Sequence, residues 1–312
     1  MDNNALTLYI PSTEDQLKQR VQPYARKEDN NAMQLVTPVQ IYQRNTSNEL
    51  PGCNFNHSVP AVVFSSGGFT GNLFHEFNEV IIPLFITCHH FRSNLQFVIT
   101  DFKPWWVMKY NRILSSLSQY QVINPAENGS VHCFPRVVVG LKYHDNLALN
   151  STEIPGGYSV FDFKHFLRDA YKLKQRHVPV LILISRSESR SVMVGAHGAG
   201  LTNAVFLPAG AVVVQVVPLG LDWASRTYYG GPVAEMEVKH LEYKIEPEES
   251  SLLTVYGPDH PVITDPMSIL LEGYEAAKAV YIDEQNLKIN LVKFRETQVE
   301  AIKLLGRSTP LI

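Results

Sequence analysis

The sequence predicts an α/β protein built on parallel sheets. Two patterns predict it. Short, mainly apolar runs at 61–64 (AVVF), 178–185 (VPVLILIS) and 211–217 (AVVVQVV) read as buried strands. Between such runs lie stretches whose apolar residues recur at helical spacing. No internal repeat or low-complexity segment points elsewhere.

Taken in order, the first forty-odd residues are polar apart from the run Leu6–Ile10, and the first twenty or so are expected to be stem or disordered. AVVF ends in the small-residue loop SSGG. In GNLFHEFNEVIIPLFITCHHF the residues Leu73, Phe77, Val80, Ile81 and Leu84 share one helix face, with Asn72 as its N-cap and Pro83 as a kink or an end. NLQFVITD is a second strand, ending at Asp101, and VHCFPRVVVGL a third. The turn-rich ALNSTEIPGGYS marks a hinge, dividing a first domain, 1–155, from a second, 156–312. FDFKHFLRDAYKLK returns to helical spacing through Phe163, Phe166, Ala170 and Leu173. Three strands follow, in VPVLILISR, VMVGAHGAGL and AVVVQVVP, and the tail from Pro266 reads as mostly helical.

A chain of 312 residues with 45% hydrophobic and 18% charged residues buries a sizeable core and is not of the disordered class. Its net charge of -3 gives no general attraction to nucleic acid. Cys53, Cys88 and Cys133 are too few for a disulfide framework; one disulfide plus a free thiol and three buried thiols both remain open. Sequons at Asn45, Asn56, Asn128 and Asn150 are candidate N-glycan sites and hint at a secretory lumen. The N-terminus has no basic region followed by an apolar core, so it reads as neither signal peptide nor anchor.

The stretch VMVGAHGAGLTNAVFLPAGAVVVQVVP, 192–218, is apolar enough to raise the question of a membrane span. His197, Asn203, Pro208 and Gln215 interrupt it, so strand, loop, short helix and second strand are expected instead. Strand Val192–Val194 then leads into the loop Gly195–Gly200, the helix Leu201–Phe206 and the strand Ala211–Val217. A glycine-rich loop between strand and helix gathers backbone N–H groups and the positive end of a helix dipole, and lets a bulky anion approach. The plainer alternative is a tight turn with His197 as a satisfied core residue.

GAHGAGLTNAVFLPAGAVVVQVVP resembles the carboxyl-terminal motif of glycosyltransferase family 61. SSGGFTGNLFHEFNEVIIPLFIT resembles the amino-terminal motif of its plant branch, the xylan arabinosyl- and xylosyltransferases. QPYARK (22–27), YKIEPEESSL and DHPVITDP also match, so the likeness runs from about Val21 to the end. The resemblance implies a GT-B-like fold of two Rossmann-like domains facing a cleft, 1–155 on the acceptor side and 156–312 binding the nucleotide sugar. It also implies a UDP-sugar donor with no tightly bound cofactor, inverting transfer of arabinose or xylose to a xylan-type acceptor, and Golgi anchorage with complexes among Golgi glycosyltransferases. No Asp-x-Asp occurs, which fits a reaction with no obligatory metal.

On that resemblance Gly195, His197, Gly198, Ala199 and Gly200 hold the diphosphate, with Asn203 beside them and Arg186 as cationic partner. Glu249 meets the ribose or caps a helix. His75 and Glu79, four apart, share a helix face, so a carboxylate can orient an imidazole base; Asp101 and Glu76 are rival bases. Trp105 and Trp106, or Trp223 with Tyr228 and Tyr229, either stack on sugars or pack in the core. One departure stands out. Family members carry further chain between the LILISR strand and the next, whereas here SESRS alone joins them, too short for a parallel crossover. Either the two strands pair antiparallel, or one of them is frayed, or the carboxyl-terminal domain is incomplete near 186–191, and the chain is expected to be weakly active or inactive. Two other readings follow: an inactive relative that binds nucleotide, glycan or partners, and an α/β protein whose loop only turns.

Overall fold

The computed structural model describes residues 6–12, 18–45, 50–127, 129–173 and 191–306. The described chain forms two compact units. The first reaches Asp145 and takes in Leu149–Leu173; the second holds Asn146–Ala148 and the described residues from Ser191 onward. Both are mixed α/β with parallel strands. The link residues 187–190 and the strand expected at 178–186 lie outside the described residues, so the incomplete-domain expectation does too.

In the first unit, within the stretch expected to be stem or disordered, Thr7–Ser12 and Lys18–Val21 form strands. Strand β1 (Thr7–Ser12), β2 (Lys18–Val21) and β3 (Val39–Asn45) pair with β3 central, parallel to β1 and antiparallel to β2. Leu8 and Ile41, adjacent in the ladder, supply the face that packs on Val39, Ala61 and Val63. The short β4 (Phe55–Asn56) precedes β5 (Ala61–Ser65), which lies between β6 (Gln96–Thr100) and, beyond the short β7 (His132–Cys133), β8 (Val137–Val139). All three of the longer strands run parallel, with Val63 beside Val98 and Val139. VHCFPRVVVGL thus gives two strands rather than one, split around Pro135, which has no N–H to donate.

β4 and β7 are tied by a disulfide between Cys53 and Cys133, leaving Cys88 as a buried thiol. Of the sequons, Asn56 and Asn150 are exposed. Asn128 lies outside the described residues, as does the side chain of Asn45.

The helix after SSGG starts at Leu73, and Asn72 caps it by accepting the Phe74 amide at 3.0 Å, as its sequence predicts. It neither ends nor breaks at Pro83. A π-helical segment, Glu76–Ile81, precedes the proline, and the helix runs on as Ile82–Cys88. The Ile82 amide reaches back five residues to Phe77, and this wider turn accommodates the proline ring and its missing N–H.

The helix Val160–Ala170 belongs to the first unit, although the division at 155 assigned it to the second. Its apolar face finds Phe85, with Phe163 and Phe166 at ring distances of 5.4 and 5.2 Å.

In the second unit β9 (Val192–Ala196), β10 (Val212–Val217) and β11 (Lys239–Lys244) form a parallel sheet with β10 in the middle. Every residue of β10 is buried, as a central parallel strand requires. Tyr243, Phe294 and Ala301 complete the core, the last two from the helix Leu291–Gly306. The segment 192–218 is strand, helix and strand. No described helix is long and apolar enough to cross a membrane.

Candidate functional site

The first cluster is built on the helix that follows β5. His75 Nδ1 lies 2.6 Å from Glu79 Oε1, the one-turn pairing that the i, i+4 spacing predicts. Glu79 is fully buried. Its other oxygen accepts the Tyr24 hydroxyl at 2.5 Å, and Arg26 reaches Oε1 at 3.3 Å. Burial, reinforced by Glu79, pushes the Tyr24 phenol far above its ordinary pKa, so it stays a donor. A carboxylate accepts only, so the His75 proton sits on Nδ1 and the Nε2 lone pair is left for chemistry. The ring is held by Phe69 and Phe74, at centroid distances of 4.7 and 5.4 Å, and remains 24% exposed.

Gly68 makes the cluster possible. It adopts φ +58°, and a Cβ there would collide with the Tyr24 ring and hydroxyl. The SSGG loop therefore lets Tyr24 pass to Glu79.

The rival bases are engaged elsewhere. Asp101 accepts from the Thr37 amide at 3.0 Å, the Thr37 hydroxyl and Ser65. It braces the ends of β5 and β6, and its oxygens are occupied in doing so. Glu76 is fully buried and accepts from Lys109, Tyr110 and the Gly71 amide. Of the carboxyl and imidazole groups considered, His75 is the one left with a free basic atom.

The second cluster follows β9, which runs two residues beyond the expected strand and includes Gly195. Gly198 turns the chain at φ +154° and ψ +174°, a conformation open to glycine alone. A 3₁₀-helix, Ala199–Phe206, starts at once. Its first bond runs from the Leu201 amide to the Gly198 carbonyl at 3.0 Å, so the amides of Ala199 and Gly200 have no acceptor within the helix. A Cβ added at Gly198 or Gly200 would meet nothing within 4 Å, so the space beside both is open. Gly195 instead faces Leu201, and Asn203 donates to the Gly200 carbonyl at 2.9 Å.

His197 sits beside this turn. Its amide bonds to Val216 at 2.9 Å and its Nδ1 lies 2.7 Å from Gln215 Nε2; Gln215 Oε1 lies 2.9 Å from His240 Nε2. Burial lowers the pKa of His197 to about 4, so the ring is neutral at physiological pH. Tyr229 donates to the Gly198 carbonyl at 2.7 Å and sets its ring edge-on to His197, so it shapes the turn rather than offering an open face to a sugar.

The remaining expected residues separate. Glu249 is buried and accepts from Tyr243, the Asn290 amide and the Glu246 amide. Burial alone would raise its pKa, but these donors hold it below the usual carboxylate range. Its carboxylate caps a 3₁₀ turn, the second of its two alternatives, and no oxygen is idle for a ribose. Trp106 is in the core, whereas Trp105 and Trp223 are exposed. Arg186 lies outside the described residues.

Sequence reasoning missed Tyr24, Arg26, Gln215 and His240. QPYARK had signalled the first two as a motif without a role; Gln215 had shown itself only as a polar break in an apolar run.

No family model matches the chain. Among curated proteins, it is 36% identical to an alpha-1,3-arabinosyltransferase, XAT3, of Oryza sativa subsp. japonica, over 92% of this chain and 58% of that protein. It is 34% identical to the rice beta-1,2-xylosyltransferase XYXT1, over 92% of this chain and 72% of the relative. It is 32% identical to the xylan glycosyltransferase MUCI21 of Arabidopsis thaliana, over 93% of this chain and 72% of the relative. The chain thus spans little more than half the length of XAT3 and nearly three quarters of the other two.

Proposed function

The chain belongs to the plant branch of glycosyltransferase family 61, with the xylan arabinosyl- and xylosyltransferases, and on that footing we propose that it moves a pentose from a UDP-sugar to a xylan-type acceptor with inversion. The observation that carries the reading is the open turn at Gly198, where two helix-start amides and a neutral imidazole stand together. Such donors stabilise the negative charge that builds on a departing diphosphate. In this reading the second unit holds the donor through His197, Gly198, Ala199 and Gly200, with Asn203 setting the turn.

The proposed base is His75. His75 Nε2 takes the proton of an acceptor hydroxyl as its oxygen attacks the anomeric carbon, and the bond from that carbon to the diphosphate oxygen breaks. Glu79 keeps the imidazole in the accepting tautomer and balances the charge that the proton brings. The reading places the protein in the Golgi lumen; the Cys53–Cys133 disulfide suits such an oxidising compartment.

Calorimetry with UDP tests the cradle, and transfer from UDP-xylose or UDP-arabinose to xylo-oligosaccharides tests the reaction. His197→Ala is expected to weaken UDP binding by about ten- to a hundredfold, the worth of a hydrogen bond to a charged group. No heat from a folded sample, or an unchanged affinity in that variant, would sink the cradle. UDP binding without transfer to any xylan acceptor would leave a nucleotide-binding relative in place of an enzyme.

A further inference from the structure

We infer that Gln215 and His240 are positioning residues that lock His197 into the tautomer with its proton on Nε2. The ring then presents a standing neutral donor to a pyrophosphate oxygen. The inference rests on the diphosphate reading for its ligand, but its geometry stands alone.

Three adjacent parallel strands deliver the three side chains. In the ladder Val213 of β10 pairs with His240 of β11, and Gln215 pairs with Gly195 of β9. Alternation along the strands puts His240, Gln215 and His197 on one face of the sheet. Gly195 has no side chain to stand between the amide and the imidazole two residues on.

Gln215 is fully buried, and both ends of its amide are used. The nitrogen of an amide only donates and its oxygen only accepts. Gln215 Nε2 therefore donates to His197 Nδ1 at 2.7 Å, and Gln215 Oε1 accepts from His240 Nε2 at 2.9 Å. The polarity runs one way, from His240 through Gln215 to the lone pair of His197 Nδ1. The proton of His197 has only Nε2 left to occupy. An imidazolium there would set an Nδ1 proton against the amide protons of Gln215, and burial disfavours it as well. Among the described residues, the titratable groups facing the relay are Tyr228 and Tyr229 beside His197 and Glu242 beside His240. None of them is a carboxylate against His197.

A glutamine is the feature that matters, because a glutamate would accept from both rings. Gln215→Glu would draw the His197 proton to Nδ1 and leave Nε2 as a lone pair facing the phosphate. It would also favour the doubly protonated ring as pH falls.

The test has two arms on the full chain. Nitrogen-15 resonances of labelled histidine in the wild-type protein, assigned with His197→Ala, report the tautomer without any ligand. The Nε2–H form is expected, and the Nδ1–H form overturns the inference. Binding of UDP-xylose, whose pyrophosphate charge is constant over the range, is then followed between about pH 6 and pH 8, the window in which a histidine beside a carboxylate titrates. Wild-type affinity is expected to be flat. Gln215→Glu is expected to bind nearly normally at the acid end and to lose on the order of ten- to a hundredfold at the alkaline end, as one charged-acceptor hydrogen bond would dictate. A flat profile at wild-type affinity in this variant also overturns the inference.

If Gln215→Glu does not fold, Gln215→Met removes the amide at similar volume. The expected result is a mixture of His197 tautomers, and an unchanged single tautomer contradicts the relay. Wild-type protein that shows the Nε2–H form yet binds no UDP-xylose would sink the diphosphate reading while upholding the relay.

Discussion

His75 and His197 each have their Nδ1 engaged, and the two engagements have opposite sign. In the first unit the neighbour is the carboxylate of Glu79, which accepts; in the second it is the amide nitrogen of Gln215, which donates. The first ring therefore offers a lone pair at Nε2 and the second a proton. In the proposed reaction one side chain type thus performs two chemistries, base and anion donor, and the choice between them is made by a buried neighbour. Neither neighbour touches the substrate in the proposed reaction. The i, i+4 spacing points to Glu79, whereas Gln215 is a residue that a search for reactive side chains passes over.

The comparison is broken most severely by removing the proposed base. His75→Ala is expected to lower kcat by about a hundred- to ten-thousandfold, the usual contribution of a positioned general base, and to leave UDP affinity within error. Initial rates with UDP-xylose and xylo-oligosaccharides, set beside calorimetry on the same variant, measure both. If His75→Ala instead loses UDP and keeps its turnover, the assignments of the two histidines are reversed.

A smaller effect separates the two rings by pH. Burial holds His197 at about 4, against 6.5 for the ordinary group. Above the ordinary value both folded and unfolded chains carry the ring neutral, and its contribution to stability is fully present. As the pH falls, the unfolded chain takes up the proton first, so stability is lost until the folded ring titrates near 4. Linkage puts the loss from this one group at about 2 kcal/mol between about pH 7 and pH 5. Urea unfolding at the two pH values, in wild type and in His197→Ala, isolates it as a difference of differences, because other buried histidines contribute equally to both proteins. Equal slopes in the two proteins would mean that the ring is already charged or already solvated.

The parts of this arrangement that could be read from the sequence are those with a local period. The face Phe77, Val80, Ile81 and Leu84, the Asn72 cap and the one-turn pair His75–Glu79 all follow from helical spacing. The glycine-rich turn after β9 follows from its place between an apolar strand and an apolar helix. What supports those residues has no such period. Tyr24 and Arg26 stand more than fifty positions from Glu79. Gln215 interrupts an apolar strand and reads as a blemish until β11 places His240 beside it. The helix passes Pro83 because the π segment upstream absorbs it, a compensation invisible to propensity. β2 escaped notice because an exposed strand of sequence KQRV resembles a polar tail, and β1, a short apolar run, because its partner β3 lies about thirty residues away. Glu249 was ambiguous for a related reason: an acidic residue next to a helix start can cap it or serve a ligand, and only the three donors around it decide.

The smallest predicted effect tests whether the first ring depends on its remote support. Tyr24→Phe deletes the hydroxyl that donates to Glu79 Oε2 and leaves the Oε1 side, with His75 and Arg26, in place. A buried carboxylate oxygen then lacks one donor, at a cost to folding of about 1–3 kcal/mol, read as a lowered urea midpoint. The carboxylate, less satisfied, attracts the His75 proton more strongly. The acidic limb of the kcat/KM profile, where a general base must give up its proton before it can act, is expected to move to higher pH, while kcat at its plateau falls only a few fold. Tyr24 itself stays protonated throughout the working range, since burial and Glu79 both push its pKa up, so it has no proton to exchange with the acceptor. If Tyr24→Phe instead costs as much turnover as His75→Ala, the phenol lies on the proton path, and the carboxylate is a bridge between two catalytic groups rather than the anchor of one.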